Sequence, residues 1–217
     1  MYILLISSTE NEISPTLSWL SSVNGVVNDH EVETLITGVG STATTYALTR
    51  HLLWRTPELV IQAGIGGSFS WDLPPTSVAF INEEVIADLG AIDNGELSDI
   101  FDLGLAAEDE HPFTNRMLVN PNSESWKRFG LPFVRGATIN CISSTPEQVQ
   151  SIKNKYGPVI ESMEGAALHY SCIMEQIPFI QLRGVSNFVG ERDKSKWKMM
   201  EAIAGLNVKL KELLTEM

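Results

Sequence analysis

The sequence predicts an α/β fold with a mixed or largely parallel central sheet and helices on both faces. Short apolar runs, the signature of strands buried on both sides, alternate along the chain with stretches of helical spacing. No internal repeat or low-complexity tract interrupts them. The 217 residues suit one well-filled domain burying roughly 70% of its unfolded surface. No composition shift or linker divides residues 1–217.

Each element has its own reason. Tyr2 to Ser7 is an unbroken apolar run and reads as the first buried strand. Ser14-Pro15 starts a helix carrying Leu17, Trp19 and Leu20, with proline at a permitted first-turn position. Glu33 to Thr37 is a second strand, closed by Gly38-Val39-Gly40. From Ser41, the spacing of Ala43, Ala47, Leu48, His51 and Leu52 is helical. Leu59 to Ala63 is another buried strand, ending in a turn at Gly64-Ile65-Gly66-Gly67.

Thr76 to Ile86 reads as one or two strands. Asp88 to Asn122 is polar and irregular, the natural place for a loop over a site. Val134 to Ile142 is a strand, and Thr145-Pro146-Glu147 opens a helix. Ser162 begins a helix with Ala166, Ala167, Tyr170 and Ile173. Pro178 to Val185 is the last strand, and Lys194 to Glu216 the terminal helix.

Fifteen basic residues against 27 acidic ones give a net charge of −12. Phosphate contacts dominate nucleic-acid affinity, so a polyanion is not the expected partner. Cys141 and Cys172, in apolar surroundings, read as buried thiols and form neither a zinc spacing nor a disulfide framework. No leader and no membrane span is recognisable, so a cytoplasmic protein without membrane partners is expected. The four histidines share no motif, so no metal is expected.

In open α/β sheets, ligands sit beyond the carboxyl ends of strands. Glu12, the glycines of 38–40 and 64–67, and Asn187 all occupy such positions, and Glu164 lies at a helix start. A carboxylate can grip a vicinal diol, and a carboxamide can read the edge of a heterocyclic base. Together they suggest a nucleoside site. The Gly-x-Gly-x-x-Gly dinucleotide spacing is absent, because position 69 is Phe. There is no Walker-type loop and no Gly-x-Ser-x-Gly elbow. On pattern alone, Glu12 is equally a solvated loop carboxylate, Asn187 a turn residue and Trp197 a core residue.

Met163-Glu164-Gly165-Ala166-Ala167 resembles the Met-Glu-x-x-Ala signature of the purine nucleoside phosphorylase and methylthioadenosine nucleosidase superfamily. Arg183-Gly184-Val185-Ser186-Asn187 is similar to its Arg-x-Ile-Ser-Asp/Asn block. Ile61 to Gly67 resembles its third-strand glycine turn, and Thr9-Glu10-Asn11-Glu12 its acidic segment. Gly184 to Asp193, with Trp197 after it, resembles most the futalosine hydrolase branch, nucleosidases of an alternative menaquinone pathway.

The resemblance implies a three-layer α/β/α sandwich with a mixed central sheet, in a homodimer or higher homo-oligomer. It implies N-glycosidic cleavage of a small nucleoside without metal or cofactor. Glu12 would activate water, and Asn187 would hydrogen-bond the purine. Glu164 would hold the ribose hydroxyls, with Met163 packed under the sugar. Gly64, Ile65, Gly66 and Gly67 would wall the water pocket, and Ile142 and Phe188 would flank the base. Nucleosidases acting on adenine usually carry Asp where this chain has Asn187, so a 6-oxo purine is expected. Residues 88–122, the part least like the family, are expected to close the site and set specificity for the sugar's side chain.

Besides a nucleosidase for methylthioadenosine, S-adenosylhomocysteine or aminofutalosine, which Asn187 disfavours, two rival readings follow from the same residues. A phosphorylase would need basic groups near Glu12, and residues 7–14 and the Gly64 turn contain none. A non-catalytic nucleoside-binding module would have no use for both Glu12 and Glu164.

Overall fold

The computed structural model describes residues 1–93 and 96–217, with side chains described outside 93–96. Among the described residues, eleven strands and five α-helices follow in chain order. They are β1 (Tyr2–Ser7), α1 (Glu10–Ser22), β2 (Val26–Val27), β3 (His30–Ile36), α2 (Ser41–Trp54), β4 (Leu59–Ser68) and β5 (Val78–Ile86). Then come β6 (Gly90–Asp93), β7 (Glu96–Asp99), β8 (Leu118–Val119), β9 (Phe133–Thr138) and α3 (Pro146–Tyr156). The chain ends with β10 (Ile160–Ser162), α4 (Gly165–Met174), β11 (Phe179–Phe188) and α5 (Met199–Glu216).

Strand β1 shows why three layers form. All six of its residues are buried, and successive side chains point to opposite faces. Ile3 and Leu5 pack with Ile13 and Leu20 of α1 and with Leu206, Leu210 and Leu213 of α5. Leu4 and Ile6 pack with Leu48 and Leu52 of α2 and with Leu168 and Cys172 of α4. A sheet between two helical layers, mixed in direction, is the sandwich the sequence predicts.

The central sheet runs β10-β9-β5-β11-β4-β1-β3-β2, with β8 on β5. β4 lies parallel to both β1 and β11, and β5 antiparallel to β11. At one end the sheet closes on itself: β10 pairs parallel with β9 and antiparallel with β4. β4, β11, β5, β9 and β10 therefore make a ring beside an open sheet. Helix α3 packs against this end through Ile152 and Tyr156.

Several boundaries differ from the sequence reading, each for a local reason. α1 starts at Glu10, because Thr9 and Glu12 form a capping box that begins the helix before Pro15. Pro15 is thus inside the helix, and the Ser14 hydroxyl donates to the Asn11 carbonyl that proline leaves unpaired (3.5 Å). β4 does not turn at Gly64 but continues to Ser68. Ile160–Ser162 is a strand, so α4 starts at Gly165 with Glu164 as its N-cap. β11 continues through Asn187 to Phe188, and β9 stops at Thr138. The terminal helix begins at Met199, after a separate 3-10 turn over Lys194–Lys196.

Segment 88–122 carries a hairpin, β6–β7, and the short strand β8; its residues Asn94 and Gly95 lie outside the described residues. Cys172 is buried as expected, but Cys141 is exposed, because it follows β9 in a loop. Among the described residues, no helix is long and apolar enough to cross a membrane, and no cluster of His, Cys, Asp and Glu could hold a metal ion.

Candidate active site

A cavity of about 700 Å³ opens where β4, β10 and β11 end beside the first turns of α1 and α5. Glu12, Ile65, Gly66, Gly67, Ile142, Met163, Glu164 and Asn187 all line it. Sequence reasoning therefore gathered residues from five separate segments around one space. Two of the expected residues do not line it. Gly64 sits behind Glu12, and the Phe188 ring packs at a tilt against Trp71, with centroids 4.1 Å apart.

The capping box folds Glu12 back over its own helix start. Its Oε2 accepts from the Ser8 hydroxyl (2.5 Å), the Thr9 hydroxyl (2.8 Å) and the Thr9 amide (3.1 Å). Its Oε1 accepts from the Ile65 amide at 3.0 Å. One oxygen is saturated by donors, and the other keeps a lone pair for a water. The solvated-loop reading of Glu12 does not survive, since the residue is 8% exposed.

The glycines of β4 serve close approach rather than a turn. A Cβ on Gly64 would lie 2.5 Å from Arg183 Nη1 and 3.0 Å from Glu12 Oε1. One on Gly66 would lie 2.7 Å from the Glu161 carbonyl, closing the β4–β10 seam. Their missing side chains let the Glu12 carboxylate, the Arg183 guanidinium and a third strand meet at one place.

Glu164, at the α4 N-terminus, is 5% exposed. Its Oε1 accepts from the Gly40 amide (3.0 Å), and its Oε2 lies 3.6 Å from Arg183 Nη1. Arg183, 1% exposed, also donates to Gln62 Oε1 at 3.0 Å. The sequence motif contains Arg183, but its buried role as Glu164's counter-ion depends on register: Arg183 pairs with Gly64 across β11 and β4.

Asn187 owes its aim to a bulge. Val185 pairs with Gly66 and Asn187 with Gly67, so Ser186 is the extra residue. The Ser186 hydroxyl donates to Asn187 Oδ1 (2.7 Å), and Asn187 Nδ2 donates to the Phe188 carbonyl (2.9 Å). The carboxamide is thereby oriented, with its second N–H uncommitted.

Sequence reasoning missed Glu161, a wall residue that is 5% exposed. Its Oε1 accepts from the Ser143 amide at 3.3 Å, and its Oε2 has no partner. Burial pushes its carboxyl up to about 7. Reading Ser162 as a helix start concealed the strand that aims it. Also missed is the mouth, where Trp197, Met199, Met200 and Ile203 line the cavity. Trp197 is therefore not a core residue, and its Nε1 donates to the Glu191 carbonyl at 2.9 Å.

No described residue of 88–122 lines the cavity, contrary to the expected lid. The segment is tied elsewhere: Asp99 accepts from Tyr156 of α3 (3.0 Å), and Asp102 pairs with Arg116 (2.7 Å) and with Lys155 of α3.

The phosphorylase superfamily model matches residues 21–217. The chain belongs to the phosphorylase superfamily. Within this superfamily it is 30% identical over 186 residues to the futalosine hydrolase of Thermus thermophilus, a match covering 84% of this chain and 80% of that protein. It is 23% identical over 199 residues to a 5'-methylthioadenosine/S-adenosylhomocysteine nucleosidase of Maridesulfovibrio salexigens, covering 89% and 84%. Among solved structures, a futalosine hydrolase mutant of Helicobacter pylori superposes with a TM-score of 0.83 over 100% of both chains at 18% identity. That superposition establishes the shared superfamily fold.

Proposed function

We propose that the protein is a purine nucleosidase that hydrolyses the N-glycosidic bond of futalosine, releasing hypoxanthine and dehypoxanthine futalosine. The observation that carries this reading is the lining of the cavity. It includes three glutamates, Glu12, Glu161 and Glu164, and no lysine, arginine or histidine among the described residues. Attack by phosphate would need cationic donors there; attack by water needs a base. The relatives at 30% identity bear the same activity in their names.

The reaction divides among these side chains. Glu12 takes a proton from water through Oε1 as the water oxygen bonds to C1′ and the C1′–N9 bond breaks. Positive charge develops on the sugar and negative charge on the departing base. Glu164, fixed by Gly40 and Arg183, accepts from the ribose hydroxyls and holds the ring over Met163. Asn187's second N–H donates to N7, where the leaving charge accumulates. The apolar mouth of Trp197, Met199, Met200 and Ile203 suits a large aromatic 5′ substituent.

No metal or cofactor takes part in this scheme. In menaquinone biosynthesis such an enzyme acts in the cytoplasm, as a homodimer or higher homo-oligomer. Incubation with inosine, methylthioadenosine and futalosine, with and without phosphate, tests the reading. Futalosine is expected to lose its base fastest, without phosphate and without forming a sugar 1-phosphate. Phosphate-dependent release would replace hydrolysis by phosphorolysis, and no release from any of the three would end the enzymatic reading.

A further inference from the structure

The carboxylates lining the cavity are not equivalent. Glu12 takes donors on both oxygens. Glu164 has Gly40 on one oxygen and Arg183 near the other. Only Glu161 has an oxygen, Oε2, that is buried and without a partner. Leaving a buried acceptor open is unfavourable unless something else fills it. The Ser143 hydroxyl lies near this carboxyl and lowers its affinity for the proton, but Oε2 itself has no partner, so a hydrogen on a ligand can fill it.

Register says where that hydrogen would be. Glu161 pairs with Gly67 across β10 and β4, and Gly67 pairs with Asn187 across β4 and β11. Residues paired in register share a face of the sheet. Asn187 and Glu161 thus stand on one face, on either side of Gly67. Two strand spacings separate their Cα atoms, about 10 Å. Gly67 puts no side chain between them; a Cβ there would lie 3.0 Å from Val189 Cγ2 and 3.4 Å from Asn187 Nδ2. The Ser186 bulge puts Asn187 in this row, and the Ser143 amide pins the Glu161 carboxylate at the far end.

Asn187 alone cannot tell one purine from another at this slot. Ser186 donates to its oxygen and Nδ2 keeps one N–H free, so the group it turns to the ligand is a donor. A donor suits N7, an acceptor in 6-oxo and 6-amino purines alike. The two bases differ at N1, which carries a hydrogen in the 6-oxo lactam and a lone pair in the 6-amino base.

We propose that Glu161 selects the base, accepting the N1–H of a 6-oxo purine on its unpartnered oxygen while Asn187 holds the N7 end. The inference rests on the reading of the cavity as a purine nucleoside site. An ionised Glu161 repels the N1 lone pair of a 6-amino purine; a protonated Glu161 can donate to it. Selectivity is therefore tied to the charge on this carboxyl. Burial and, to a smaller extent, Asp88 raise its affinity for the proton; Ser143 and Arg192 lower it. Glu12 and Glu164 are the other acids of the cavity wall.

The test compares futalosine with its 6-amino analogue in the wild type and in Glu161→Gln. The near-isosteric amide can turn either its oxygen or its N–H toward N1. The 6-oxo preference in kcat/KM is expected to fall by about tenfold or more in the variant. An unchanged ratio would overturn the assignment. A second measurement needs no variant and no turnover: calorimetric binding of free hypoxanthine and adenine to the wild type from about pH 6 to about pH 8. The hypoxanthine-to-adenine affinity ratio is expected to rise with pH as Glu161 ionises, and a flat ratio would overturn the proposal. If neither nucleoside is cleaved yet the base ratio still rises with pH, the hydrolase reading fails and the role of Glu161 stands.

Discussion

Asn207, in the last helix, donates through Nδ2 to the main-chain carbonyl of Glu12 at 2.8 Å. Its Oδ1 accepts from the Thr16 amide (3.1 Å) and the Thr16 hydroxyl (2.6 Å). One buried side chain thus bonds to both the carbonyl and the amide that span a single turn of α1. α5 thereby fixes the turn that carries the candidate base, and Asn207 is a positioning residue. Asn207→Ala should destabilise the fold by about 1–3 kcal/mol, because it strands buried polar partners. Displacing Glu12 should lower kcat by about 10–100-fold with KM little changed. Urea denaturation and steady-state kinetics read the two effects. A variant that loses stability but keeps wild-type kcat would make Asn207 a structural tie alone.

Glu12→Gln retains the shape of the side chain and removes its capacity to take a proton. Turnover is expected to fall by about 10²–10⁴-fold, with binding of the product base retained. Single-turnover assays and calorimetry separate these effects, and near-wild-type turnover would assign the proton transfer to another group.

Two glycine substitutions should move in opposite directions. Gly64→Ala puts a methyl 2.5 Å from Arg183 Nη1 and 3.0 Å from Glu12 Oε1. It is expected to cost about 1–3 kcal/mol and most of the activity. Gly205→Ala, inside α5, places its methyl 3.5 Å from the Thr76 carbonyl, an ordinary contact. Helix propensity then favours alanine by about 0.5–1 kcal/mol. Thermal unfolding of both variants checks the pair, and equal shifts in the same direction would contradict the geometry.

Glu84 supplies a pH prediction. It is fully buried beneath the α4 start, accepting from Gln181 Nε2 (2.9 Å) and the Thr138 hydroxyl (3.0 Å). Burial raises its carboxyl from 4.5 to about 7, against the lowering effects of Gln181, Arg183 and Thr138. The folded protein therefore holds this proton more tightly than the unfolded chain. Its contribution to stability is present below pH 4.5 and is lost as pH rises to about 7. Buried His169, lowered to about 4, acts in the opposite sense below pH 6.5. Comparing the wild type with Glu84→Gln isolates the carboxyl. The Gln181 oxygen, buried without a partner, can turn to accept from the new amide. The variant should gain on the order of 2–3 kcal/mol relative to the wild type between pH 5 and pH 8. Parallel urea titrations at the two pH values measure it, and an equal difference at both would place the titration elsewhere.

The layers were legible because β1 and β4 are long, apolar and buried on both faces. Glu12, Glu164 and Asn187 were legible from strand ends and from the superfamily blocks that contain them. Glu161 was not. Its strand has three residues, too few for alternation to register, and the apolar helix behind it absorbed the reading. The glycines of β4 resembled a turn because local propensity cannot show that Arg183 and Glu12 come close to Gly64 from distant parts of the chain. Asn187's orientation depends on a one-residue bulge, and bulges are set by the neighbouring strand. The lid expected in 88–122 rested on polarity, which does not reveal that Asp99 and Asp102 are bonded to α3.

The order of synthesis meets an obstacle in the ring of β4, β11, β5, β9 and β10. Glu12 and the β4 glycines leave the ribosome early, but the strand that closes around them is β11, near residue 188. Asn207, which clamps Glu12 from behind, emerges later still. A nascent chain thus carries the first half of the pocket long before it can hold a nucleoside. Ligand cannot guide the early folding steps; its stabilising pull acts only on the nearly finished polypeptide. Until then, the apolar faces of β1 and β4 depend on α1 and α2 for cover.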